Sequence, residues 1–248
     1  MKYNLFLPLL LLISTHLSFS QSKSQVETYY NLFDAFIPYE NRDIFNGSEY
    51  IDEYPELVTK AKTNNKFYGS YNFVKGYINY DGQPYFNLEM KYDLLRDLVV
   101  LEFVNKKVNY LSLNSTLVNE FEILGAKFVR LENNSVLNSN YRNGFFKEAF
   151  NGKAFSFYVK YRKDKRQDLS EKKERYVFNE HQFYFVQHDK KFYRITSKKD
   201  ILKAFPSYQK EIRLFYRKNP VLRRTSKAQF FTNLFMYLDG INLEKAKN

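Results

Sequence analysis

The spacing of hydrophobic positions changes twice along the chain, from a helical period to an alternating one and back. Val26, Tyr30, Phe33 and Ile37 recur at helical spacing, and Pro38 ends the run. Ser24-Gln25-Val26-Glu27 precedes them in capping-box form, a hydroxyl to receive the third amide and a carboxylate to reach back. Residues 39–70 are polar and without a period, with Asn46-Gly47 as a turn. From Tyr71 the period is two. Phe86, Leu88, Met90 and Tyr92 alternate with Asn87, Glu89 and Lys91, as one face of a half-buried strand requires. Asp81-Gly82 separates that run from residues 71–80 and predicts a tight hairpin. Residues 98–104 form a continuous apolar run and predict a central strand. Alternation returns at 108–113, 118–123, 127–131 and 145–150. It is clearest over 154–162, with Phe155, Phe157, Val159 and Tyr161 on one face and Tyr158 on the polar one. Residues 163–173 are almost purely polar and predict a mobile loop. Short strands follow at 174–179, 182–187 and 191–196, which places His181 and His188-Asp189 in exposed turns.

The helical period returns at Ser197-Lys198-Lys199-Asp200, a second capping box, whose helix stops before Pro206. Over 207–218, Tyr208, Ile212, Phe215 and Tyr216 share one stripe while Lys210, Arg213 and Arg217 fall opposite. A last helix over 227–238 carries Phe230, Phe231, Leu234, Phe235 and Leu238, and Asp239-Gly240 ends it. Four turn glycines, Gly47, Gly82, Gly125 and Gly152, each precede an aromatic by three positions, but at intervals too unequal for a propeller or solenoid. About eleven short strands between helical ends predict an α+β, mainly β fold, an antiparallel β-meander closed as an open barrel or stacked as a sandwich, with C-terminal helices. Several of these runs are shorter than the strands of a membrane barrel and carry charge, which disfavours one. The expected organisation is a leader over 1–20, a helix and irregular segment over 21–70, a β domain over 71–196, and a basic helical region over 197–248 packed on it.

The leader has its own signature. Lys2 precedes the apolar run 5–13, too short to span a bilayer, and Ser18-Phe19-Ser20 has the small-x-small form of a signal-peptidase site. Cleavage before Gln21 exports the chain to the periplasm, the outer membrane or beyond, and no later stretch reaches membrane-spanning length. The chain has no Cys, which excludes disulfides, thiol nucleophiles, iron–sulfur clusters and thiolate zinc sites. With three His and neither a phosphate-loop nor a dinucleotide glycine motif, no cofactor or metal is expected.

Charge is uneven. Residues 21–159 carry a net −2, whereas residues 191–248 carry +10. A concentrated basic surface attracts phosphates, acidic glycans or acidic proteins. An A/T-rich genome would enrich Lys, Asn, Tyr, Phe and Ile together, but it would act on both halves alike. The ligand-binding candidates are therefore Lys210, Arg213 and Arg217, with Arg223 and Arg224 beyond Pro220. The expected partner is an anionic glycan, lipopolysaccharide or an acidic envelope protein, and export points away from nucleic acid. Catalytic candidates are thinner. Glu120 and Glu122 share one strand face at a separation that suits a glycosidase carboxylate pair, and Asp93 and Asp97 flank a turn. His181 and His188 lack a GxSxG nucleophile elbow to serve. Tyr158 on its polar face is a platform for a sugar ring or a cross-strand partner.

Asn46-Gly47-x-Glu49-Tyr50, Gly76-x-Ile78-x-Tyr80-Asp81-Gly82-Gln83-x-Tyr85, Tyr92-Asp93-Leu94, Asp97-x-Val99-Val100 and Gly144-Phe145-Phe146 follow one another along the chain. Phe192-Tyr193-x-Ile195-x-Ser197-Lys198-Lys199-Asp200 and Phe205-Pro206 close the series. These segments carry a resemblance to a family of uncharacterised exported β-rich proteins of Bacteroidota. It covers nearly all of the chain after the leader and implies a cell-envelope setting and one β-rich unit with a helical C-terminus. It brings no activity with it. Two classes of function stand: a non-catalytic envelope protein that binds through its basic C-terminal region, and an envelope glycoside hydrolase that uses a carboxylate pair.

Overall fold

The computed structural model describes residues 23–37, 42–54, 64–105, 107–131, 144–168 and 175–245; the leader and residues 169–173 of the polar loop lie outside them. Within these residues the helix α1 (Lys23–Phe36) leads into β1 (Ser48–Glu49), β2 (Val74–Tyr80), β3 (Gln83–Asp93), β4 (Leu98–Asn105) and β5 (Lys107–Ser112). Then come β6 (Val118–Ile123), β7 (Ala126–Arg130), β8 (Phe145–Asn151), β9 (Phe155–Asp168), β10 (Arg175–His188) and β11 (Lys191–Ile195). The chain ends in α2 (Lys198–Ala204), α3 (Gln209–Lys218), α4 (Pro220–Thr225) and α5 (Lys227–Lys245). All strands join one antiparallel sheet in the order β1-β5-β4-β3-β2-β6-β7-β8-β9-β10-β11. The meander is broken twice, where β1 pairs with β5 and where β6 returns to pair with β2. The fold is thus α+β and mainly β, one unclosed sheet with C-terminal helices. Among the described residues no helix is long and apolar enough to cross a membrane.

Tight turns set the register. Asp81 and Gly82 both have positive φ, as a two-residue primed turn needs, and Leu124-Gly125 and Asp189-Lys190 do the same. The sheet curls strongly at one end. The β3–β4 turn meets β9: the Lys163 N–H donates to the Leu94 carbonyl at 3.1 Å, and the Lys160 ammonium contacts Asp97. The concave face is filled by rings, with Tyr92, Phe121, Phe128 and Phe145 fully buried and in mutual edge or stacked contact. Phe155, Phe157, Val159 and Tyr161 join them from β9, as their alternation predicted.

The helices close the other half of that face. Phe231 and Phe235 of α5 lie on Phe157, and Phe205 and Tyr208 on Phe155. The Ser197 capping box forms as expected, its hydroxyl receiving the Asp200 amide and the Asp200 carboxylate receiving the Ser197 amide. Bonds from Thr196 hold that carboxylate below the usual range.

Several expectations are corrected. Asp239-Gly240 does not end α5, which runs on to Lys245. The buried Asp239 carboxylate instead accepts the amides of Ala154 at 2.6 Å and Phe155 at 2.9 Å, tying α5 to the β8–β9 turn. Phe86 does not share a face with Met90 and Tyr92. Positive φ at Asn87 marks a bulge that turns Tyr85 into the core and Phe86 outward, against Tyr77 and Tyr30 of α1. Residues 163–168 are strand, paired residue by residue with β10, and β10 passes unbroken through His181. Residues 163–168 themselves carry no apolar side chain, while on β10 Tyr176 and Phe178 pack against Tyr54. Helix α1 starts at Lys23, which places Ser24 inside it.

Candidate functional site

Helix α3 presents the expected basic stripe. Ile212 and Tyr216 are buried beneath it, and Lys210, Arg213 and Arg217 stand exposed on the opposite side. With Leu214 these three border a depression of about 270 Å³. Among the described residues none of the three has a carboxylate partner. Arg223 and Arg224 are exposed in the last turn of α4. Arg223 lies 5.8 Å from the Tyr216 ring centre, a cation–π contact on the flank of α3. The structure therefore gathers Lys210, Arg213 and Arg217 into one unit, and sets Arg223 and Arg224 on the neighbouring helix.

The carboxylate candidates are already engaged. Glu120 and Glu122 do share the outer face of β6, but Lys127 of β7 lies 2.8 Å from Glu120 and 3.8 Å from Glu148. The bond that Lys127 donates to Glu120 raises the Lys127 pKa, so that ammonium stays charged. Asp93 and Asp97 face different partners. Asp93, fully buried, accepts the Tyr50 hydroxyl at 2.7 Å and the backbone amides of Leu95 and Arg96. Asp97 accepts Tyr92 and the buried Lys160. Two carboxylates fixed to separate cations do not share a substrate.

The remaining candidates also change place. His181 lies mid-strand in β10, bonded to Asp164 across the ribbon. His188 closes β10, stacked 4.2 Å from Phe155 and bonded to the Ala154 carbonyl at 2.8 Å. Neither histidine stands in a turn, although Asp189 does. Tyr158 is 6% exposed, buried with Phe146, Phe185 and Phe192 on the convex side, so it offers no platform to a sugar. Among the described residues no group of three or more His, Cys, Asp or Glu is placed to hold a metal.

A second concavity carries chemistry that the periodicity did not reveal. Residues 50–54 and 64–73 cross the outer face of β3, β4 and β5, and Phe67, Tyr71 and Phe73 surround the ammonium of Lys91. The Lys91 Nζ lies 4.7, 4.5 and 4.2 Å from their ring centres. Burial pushes the Lys91 pKa down to about 8, against the pull of Asp52 and Glu102. The cavity holds about 450 Å³ and is also lined by Tyr50, Tyr110 and Asn72. Behind it, buried Lys66 sits 2.6 Å from Asp52 and 3.7 Å from Asp93. Burial and the Asp93 charge raise the Tyr50 pKa far above that of an ordinary phenol. The one sequence signal was Lys91 on the polar face of an alternating strand; the loop that covers it has no period to read.

Comparison with protein-family models, with curated proteins and with solved structures finds no match to this chain.

Proposed function

We propose that the chain is an exported, non-catalytic cell-envelope protein that binds an acidic envelope glycan or lipopolysaccharide through α3. The observation that carries this reading is the stripe Lys210, Arg213 and Arg217 around the Leu214 depression, three cations with no carboxylate partner among the described residues. Cations at helical spacing meet phosphates or carboxylates together, and Leu214 gives an apolar contact for a sugar face or an acyl chain. The leader and the resemblance supply the envelope setting. The hydrolase reading gains no observation, because Lys127 occupies the space beside Glu120.

Binding of the chain from Gln21 onward to lipopolysaccharide and to an acidic polysaccharide, measured at low and high salt, tests the proposal. Lys210→Gln/Arg213→Gln/Arg217→Gln should weaken capture about ten-fold and remove most of its salt dependence. Equal binding by this variant overturns the reading. Retention of an acidic protein in place of either glycan assigns the stripe to a protein partner instead.

A further inference from the structure

We propose that the cavity over the outer face of β3–β5 is a binding site for one neutral sugar ring, distinct in place and chemistry from the α3 stripe. Size and shape fit first. A space of about 450 Å³ lies within the range of small-ligand pockets. Its lining is aromatic, and Tyr110, stacked on Phe73 with centres 5.1 Å apart, is 38% exposed and is the ring that a ligand can reach. The C–H face of a pyranose packs on such rings, since it is apolar and flat while its hydroxyls point to the rim.

Charge then selects among ligands. A cationic ligand, the usual guest of an aromatic cage, finds its place already taken by the Lys91 ammonium. An anionic ligand meets Lys91 but also the carboxylates of Asp52 and Glu102 on the same lining. The Asp52 charge is offset by Lys66 at 2.6 Å, so Lys91 and Glu102 leave the lining neutral. What the site offers is a mixture of donors and acceptors around an aromatic wall: the Lys91 ammonium donates, Asp52 and Glu102 accept, and the Asn72 amide does both. Each hydroxyl of a sugar is itself donor and acceptor, so a neutral polyol ring satisfies this set without burying an unpaired charge.

Lys91 supplies the ammonium on the cavity lining. Its head is drawn from water by three rings, and no carboxylate pairs with it among the described residues. A ligand hydroxyl would accept from that ammonium. Tyr50 keeps the wall in place, because its hydroxyl is bonded to Asp93 and the Arg96 guanidinium lies 4.3 Å from its ring centre.

The test is saturation-transfer NMR on the intact chain from Gln21, with glucose, galactose and N-acetylglucosamine as neutral probes and glucuronate as the charged one. The expected result is saturation of the ring protons of at least one neutral sugar, unchanged between 0.05 and 0.5 M salt, with Tyr110→Ala lowering affinity about ten-fold. Tyr110 is partly exposed, so this variant should fold, and far-UV circular dichroism checks it. The triple α3 variant should bind the neutral sugar as the wild type does, which keeps the two proposals separable. No transfer to any neutral probe, equal binding by Tyr110→Ala, or a ten-fold preference for glucuronate overturns this assignment.

Discussion

Lys91 provides the sharpest test of the energetics, because the structure keeps a charge where apolar contact would do. Its pKa falls from the ordinary 10.5 to about 8 on folding. A displacement of that size corresponds to about 3 kcal/mol against the charged form. Lys91 is only half-buried, so solvent screening and the three ring contacts reduce the cost to about 1 kcal/mol at neutral pH. Lys91→Met keeps the length of the stem and removes the charge, and should therefore stabilise the fold by about that amount. The sign with pH follows from proton binding. Between pH 8 and 10.5 the unfolded chain holds the Lys91 proton and the folded chain releases it, so wild-type stability rises with pH through this window relative to the variant. The stabilisation by Lys91→Met should be full below pH 8 and fade toward pH 10.5. Urea denaturation followed by far-UV circular dichroism at half-unit steps from pH 7 to 10.5 measures the difference. A variant less stable than wild type at pH 7, or a difference flat across the window, would refute the argument that burial is what lowers this pKa.

Three further outcomes are expected. Asp239→Ala should cost about 4 kcal/mol in chemical denaturation, because the amides of Ala154 and Phe155 lose a charged acceptor in a buried place, whereas Asp239→Asn, which retains one oxygen, should cost about half as much. Asp97→Asn should destabilise more than Lys160→Met, by about 3 kcal/mol against 1, since Lys160 is 2% exposed and Asp97 is 27% exposed; the double variant should recover most of the loss. Leu124→Asn should raise stability by about 0.5–1 kcal/mol in thermal or urea unfolding, because a half-exposed leucine at φ 50° in a primed turn is replaced by the residue that turn prefers.

Where chemistry is local, the sequence is legible. Asp81-Gly82, the Ser197 capping box and the alternation from Phe155 to Tyr161 each need only neighbours in the chain, and each forms as read. The α3 stripe belongs with them. Alternation fails where the sheet has no solvent face: Tyr158 and Lys160 read as outward and polar, yet both are buried, one among phenylalanines and the other against Asp97. It fails at Asn87, where a single bulge exchanges Tyr85 for Phe86. It is silent on residues 163–168 of β9, which carry no apolar side chain, although their partners on β10 include the buried Phe178. The cavity over β3–β5 was invisible for a further reason: it unites Tyr50 and Asp52, the rings of 67–73, Lys91 and Tyr110, whose meeting depends on a loop crossing the sheet.

The partners of the charged side chains bear on the origin of the basic C-terminus. A base-composition bias enriches lysine wherever codons permit, but it has no means of choosing which lysines receive carboxylates. Among the described residues several lysines in and around the sheet are paired, although Lys91 is not. Lys66 has Asp52, Lys127 has Glu120 and Lys160 has Asp97, each from a different strand or loop. On α3, Lys210, Arg213 and Arg217 have none among the described residues, although Glu211 shares their helix. Arg217 and Lys218 occupy the last turn of α3, where a cation complements the helix dipole, so part of the charge has a structural use. That account does not reach Lys210, which lies in the first turn, where the dipole disfavours a cation. A positive charge at the unfavourable end of a helix, in line with two others around an apolar depression, is a cost to the isolated fold that an anionic ligand would remove.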